Sequence, residues 1–243
     1  MRTLRAQTAA EIRLTARRGD SVLLNLAIPI GLLVFFSVVD VLPKPAGIRH
    51  PVDFLAPGVL ALAVMSTAMV SLGIATGFER QYGVLKRLGT TPLGRDRLLA
   101  AKVASVLVVE AVHAALILVV GLALGWDADG SLWPALPAVL LGTVAFAGIG
   151  LLMAGALRAE ITLAAANGIY LALLLLGGMV VPLSKLPVGL RTFARGLPAG
   201  ALSDALHGSL SAGGGGAPVR SWVVLGVWAI AAPAVASRLF RWE

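Results

Sequence analysis

Charged residues divide this chain into long apolar windows separated by short polar ones. The six windows are Ser21 to Val39, Phe54 to Phe78, Val103 to Trp126, Gly130 to Leu157, Ile161 to Ser184 and Ser221 to Ser237, and only the third holds a charge, Glu110. A bilayer core of about 30 Å is crossed by about 20 helical residues, so each window can span it. The last, with 17 residues, has little to spare. The period-two alternation of a membrane strand is missing, which argues against a β-barrel. The pattern therefore predicts an all-α membrane protein of six transmembrane helices. Residues 1–20 predict a further helix at the membrane surface, with Arg2, Arg13 and Arg17 on one face but no compact apolar stripe opposite.

Composition agrees with that reading. Of 243 residues 58% are hydrophobic and 13% charged, where a soluble domain carries about 25% charged residues. The absence of cysteine excludes disulfides, thiolate-bound zinc, iron-sulfur centres and thiol catalysis. The net charge of +8 is explained by topology rather than by a nucleic-acid partner, because cytoplasmic loops collect Lys and Arg. With the N-terminus inside, the inner segments hold 14 of these residues and the outer ones 6. Both termini are thus expected in the cytoplasm of a multi-pass bacterial cell-membrane protein. The first window is followed by no A-x-A site before Asp40, so it is expected to remain as an uncleaved helix.

The longest stretch outside the windows, Lys185 to Arg220, has 36 residues, short of the roughly 50 that a folded soluble domain needs. The chain reads as one membrane domain over 1–243. No Gly-Lys pair occurs, so it builds no P-loop. No H-E-x-x-H, G-x-S-x-G or acidic metal cluster occurs either, which argues against an enzyme and a bound metal.

Between the second and third windows the chain reads ERQYGVLKRLGTTPLGRDRLLAAK, residues 79–102. Tyr82, Leu85 and Leu88 recur every three residues and predict a short amphipathic helix, with Arg80, Lys86 and Arg87 elsewhere. Gly89 and Thr90 interrupt it. Thr91 can cap the next helix, with Pro92 at its first position. The segment is either a charged loop that sets topology or a small apolar knob that docks in another protein's groove.

This segment resembles the E-R-E-x-G-T-L-x-x-L-x-x-T-P-L stretch of ABC-2 type permeases, the membrane subunits of type V ABC exporters. Glu79, Arg80, Gly83, Leu85, Leu88, Thr91, Pro92 and Leu93 match in order, while Gln81 replaces an acid and Val84 a threonine. A second stretch, GGMVVPLSKLPVGLRTFARGLPAGALSDALHGSL, resembles the family's G-x-x-x-P-L-x-x-L-P and x-D-A-L-R pieces through Pro182, Pro187, Pro198 and Asp204, with His207 in place of arginine. The resemblance implies a coupling helix beneath the membrane and short external helices dipping into the outer leaflet. Leu197 to Leu210 is indeed apolar but too short to span. It further implies an ABC ATP-binding partner subunit that binds ATP and Mg, no cofactor in this chain, a second identical or paralogous permease, and contact of residues 1–20 with lipid or with the ATPase. The implied function is export of a lipophilic or amphipathic substrate such as a drug, antibiotic or lipid.

Within the windows, Glu110 lies eight residues past Lys102, about 12 Å along the helix and near mid-membrane. His113 shares its face and is the expected partner. The pair is either a packing hydrogen bond or a proton-sensitive site, and the second choice would make the chain a proton-coupled secondary transporter. Asn25, Thr67, Ser71, Asn167 and Tyr170 read as helix-packing hydrogen bonds. The resemblance alternatively places them along a substrate path. Gly73 and Gly77 form a G-x-x-x-G pair that permits close helix approach, and Gly213 to Gly216 predict a flexible linker.

Overall fold

The computed structural model describes residues 2–17, 19–39, 50–89, 95–127, 130–211 and 216–240. Every regular element among them is helical. In chain order these are α1 (Arg2–Arg17), α2 (Gly19–Val38), α3 (Pro51–Met65), a π-helical turn (Ser66–Ser71), α4 (Leu72–Gln81), α5 (Val84–Gly89), α6 (Arg95–Ala123), α7 (Leu132–Ala156), α8 (Ala159–Leu176), a 3-10 turn (Leu183–Lys185), α9 (Val188–Ala194), α10 (Pro198–Leu210) and α11 (Val219–Leu239).

Five helices among the described residues are long and apolar enough to cross a membrane: Pro51–Gln81 taken as one, Arg97–Ala123, Leu132–Ala156, Ala159–Leu176 and Val219–Leu239. The sixth expected span is α2, whose fully described part, Ala27–Val38, is shorter. The bundle has two ends. The lower end carries Gln81, Arg158 and the start of α6, and the upper end carries Pro51, Trp126 and α10.

The continuous rod of α3, the π turn and α4 occupies the centre, and all of α3 from Phe54 to Met65 is buried. A hydrophobic core forms around Leu62, Met65 and Met69 and extends to Phe146, Leu202 and Leu206. Asp53 starts the rod: its carboxylate accepts from His50 N at 3.3 Å and from Asp127 N at 3.1 Å. Close approach of α4 to α7 depends on glycine at two facing positions, since a Cβ at Gly73 would lie 3.1 Å from Gly150 O and one at Gly150 would lie 2.6 Å from Met69 O. Gly73 of the G-x-x-x-G pair thus packs against α7 of the same chain.

The helix in the fifth window is shorter than its apolar run predicts. It stops at Leu176 rather than continuing toward Ser184, because Gly177 and Gly178 follow and Gly178 turns the chain with φ +71°. The linker residues 213–215 lie outside the described residues.

Candidate functional site

At the lower end α4 finishes with three consecutive polar residues, and each reaches a different neighbour. Glu79 Oε2 accepts from Lys102 Nζ at 2.6 Å. Lys102, on the first turns of α6, is only 1% exposed and also donates to Glu11 Oε2 of α1 at 3.2 Å. One ammonium therefore pins α1, α4 and α6. Arg80 turns the other way, donating through Nη1 to Gly155 O and through Nη2 to Leu157 O at 2.6 Å. Those carbonyls belong to the unpaired C-terminal end of α7, where a cation complements the helix dipole. Gln81 Nε2 donates to Glu160 Oε1, in the first turn of α8, at 2.7 Å.

Beyond Gln81 the chain turns at Tyr82 and Gly83, whose φ of +71° suits glycine, and enters α5. This turn corrects the expected three-residue face. Leu85 is fully buried and Leu88 packs against the core. Tyr82, however, lies before the start of α5, is 72% exposed and stacks on Phe78 with ring centroids 6.1 Å apart. Thr91, Pro92 and Leu93 lie outside the described residues, and α6 begins at Arg95.

Midway along the bundle Glu110 and His113 are 3% and 1% exposed. They share a face of α6 but their hydrogen bonds run to different helices, not to each other as the sequence suggested. Glu110 Oε2 is bonded to Thr143 Oγ1 of α7. His113 Nδ1 lies 3.3 Å from Thr67 Oγ1 in the π turn. Ser71 donates to Ser66 O, five residues back, at 3.3 Å and so satisfies the turn it closes. Thr67 and Ser71 are thereby separated in role, the first tying helices and the second serving its own backbone. Asn167 is exposed and donates to Leu163 O of its own helix at 2.9 Å, while Tyr170 is half-buried against the core. For Asn25 only its backbone, in α2, is described. Of the four candidates whose side chains are described, Thr67 is buried, Ser71 and Tyr170 are half-buried and Asn167 is exposed.

At the upper end each of three prolines starts an element: Pro182 precedes the 3-10 turn, Pro187 caps α9, and Pro198 is the first residue of α10. Helix α10 is buried among α3, α7 and α11. His207 anchors it. Its ring packs on Phe54 at a centroid distance of 4.6 Å, Nε2 lies 2.9 Å from Phe54 O, and Nδ1 lies 2.7 Å from Ser203 O. Burial pushes the imidazole pKa below its usual range, against the opposing pull of both carbonyls and of Asp204. Burial raises the Asp204 carboxyl, opposed chiefly by Arg220, 3.7 Å away.

Sequence reasoning missed Lys102, Glu11 and Thr143. Glu79 and Lys102 stand at the two ends of the 79–102 segment with opposite charge, and Thr143 is the only hydroxyl in the interior of its window, Ser131 standing at its outer edge; both signals are present in the sequence. Among the described residues no three His, Asp or Glu side chains gather as metal ligands.

The family model described as "ABC-2 type transporter" matches residues 2–210 of the chain. A protein of Bacillus subtilis (strain 168) named "Putative transport permease YvfS" is 26% identical over 206 residues, covering 82% of this chain and 81% of that protein.

Proposed function

The chain belongs to the ABC-2 type transporter family, and from that premise we propose that it is the membrane subunit of an ATP-driven exporter. It is a transporter permease, all-α and multi-pass. In this reading it has six spans, both termini in the cytoplasm of a bacterial cell, and a lower end that faces inward. Two such permeases, identical or paralogous, assemble with two separate subunits that bind ATP and Mg, and the cargo is a lipophilic or amphipathic molecule.

The observation that carries the proposal is the way Glu79, Arg80 and Gln81 join the end of the central rod to α1, α6, α7 and α8. A displacement delivered to residues 82–97 from below would enter the bundle through that junction and reach all four helices. Glu79, Arg80, Gly83, Leu85 and Leu88, with Thr91, Pro92 and Leu93, form the coupling segment. The ATPase must hold this segment differently in its open and closed states, because equal contact in both would shift nothing. Pro182, Pro187 and the α10 residues Pro198, Asp204 and His207 form the external segment, and Asn25, Thr67, Ser71, Asn167 and Tyr170 contribute to the path and to the contact between permeases.

Leu88→Asp and Pro92→Ala are expected to insert normally yet lose ATP-dependent transport in vesicles. Wild-type transport together with wild-type copurification of the ATPase in both variants would remove the reading. The competing class, proton-coupled transport through Glu110 and His113, requires uptake or efflux driven by a proton gradient without ATP and abolished by Glu110→Gln.

A further inference from the structure

We propose that Glu110 holds a fixed proton inside the bundle and, together with His113, encloses one water molecule, so that α6, α7 and the π-helical turn are joined by a neutral hydrogen-bonded cluster.

The first part rests on counting hydrogens. Thr143 Oγ1 lies 2.8 Å from Val139 O and also within hydrogen-bond reach of Glu110 Oε2. A hydroxyl carries one hydrogen and a carbonyl can only accept. With an ionised Glu110 both neighbours would be acceptors, and the single hydrogen could serve only one of them. With the proton on Glu110 Oε2, the carboxyl donates to Thr143 Oγ1, Thr143 donates to Val139 O, and every contact is used. Charge leads to the same assignment. Glu110 is 3% exposed and is hydrogen-bonded to a neutral hydroxyl, that of Thr143; Lys102, two turns below on α6, is engaged by Glu11 and Glu79. An unpaired carboxylate at such a place is disfavoured relative to the neutral acid.

The second part rests on two buried atoms that lack a hydrogen-bond partner among the described residues, Glu110 Oε1 and His113 Nε2. If Thr67 donates to His113 Nδ1, the ring proton sits on Nε2, leaving one donor and one acceptor a single helical turn apart on the same face of α6. Their chemistry is complementary. One water can accept from Nε2–H and donate to Oε1, which is the usual way that enclosed polar atoms are satisfied. The ligands of the site are thus a proton and a water, with Thr143 and Thr67 as its fixed walls.

The inference stands apart from the exporter reading, and its readout involves no transport. Infrared difference spectra of the full chain in lipid nanodiscs at neutral pH, wild type minus Glu110→Gln, should show a protonated-carboxyl C=O band. That band should shift upward in Thr143→Val, where the hydroxyl acceptor is lost. Nitrogen-15 spectra should place the His113 proton on Nε2, and exchange into oxygen-18 water should shift a water O–H stretch that is missing in His113→Phe. Carboxylate stretches in place of the C=O band, an imidazolium at His113, or no oxygen-18-sensitive band in the wild type would each overturn the proposal. Should His113→Phe fail to fold, the wild-type spectra and the Glu110→Gln difference decide it.

Discussion

At the lower end of the bundle long side chains carry the contacts between helices: Lys102 bridges Glu11 and Glu79, Arg80 reaches two carbonyls of α7, and Gln81 meets Glu160. At the upper end, beside the Asp204–Arg220 ion pair, the contacts run from short side chains onto the backbone or between backbones. His207 meets Phe54 O, Ser203 meets Gly178 O at 3.1 Å, Ser131 N donates to Ser209 O at 2.8 Å, and Gly58 lies so near Met179 that a Cβ would sit 1.9 Å from its carbonyl. A tie through four or five rotatable bonds can be released and remade while the helices shift. A tie between backbones fixes their separation. The upper end is therefore built as an anchor and the lower end as a joint.

The largest expected effect tests the joint. Lys102→Met leaves Glu11 and Glu79 without their buried ammonium and should lower stability by about 3–5 kcal/mol, measured as detergent-solubilised thermal unfolding. Adding Glu79→Gln should recover part of that loss, whereas recovery by salt should be small because the pair is enclosed. Next in size, the anchor is tested by Gly58→Ala, expected to lose about 1–3 kcal/mol through overpacking against Met179. If this variant is as stable as the wild type, the close backbone approach at the upper end is not what holds it.

A smaller effect is expected from pH. The imidazole of His207 is pushed below its ordinary value of 6.5 in the folded protein, so the unfolded chain binds a proton first as pH falls. Its contribution is full above about 6.5 and is lost progressively as pH drops from there toward the lower folded value. Unfolding midpoints measured between neutral and acid pH should show this fall, and His207→Gln should flatten it. Smallest of all, Gln81→Ala removes an exposed hydrogen bond and should change stability by no more than about 0.5 kcal/mol. A larger change would mean that the joint depends on its rim as well as on its buried ammonium.

Much of this architecture was legible because charge and hydropathy vary on the scale of whole helices. The apolar windows located α3 with α4, α6, α7, α8 and α11, while the cap expected at Thr91 and Pro92 lies outside the described residues and α6 is described from Arg95. Features set by single dihedrals were not legible. Gly178 ends the fifth span inside an apolar run, and Gly83 removes Tyr82 from the face shared by Leu85 and Leu88. Partner choice was also hidden, since Glu110 and His113 share a face in sequence while the acceptors and donors that claim them, Thr143 and Thr67, come from other helices. Lys102 stands in the sequence at the edge of an apolar window, a position that gives no sign of its burial between two carboxylates.

The three residues that radiate from the end of α4 also constrain how its length can change. Successive positions on a helix are about 100° apart, so inserting one residue between Ser71 and Glu79 would rotate all three away from their partners at once. Substitution tests them singly; an insertion or deletion tests them together. The π-helical turn just above is the one place in the rod where α-helical winding already accommodates an additional residue, so gaining or losing a residue there resets the rotational phase of everything below it.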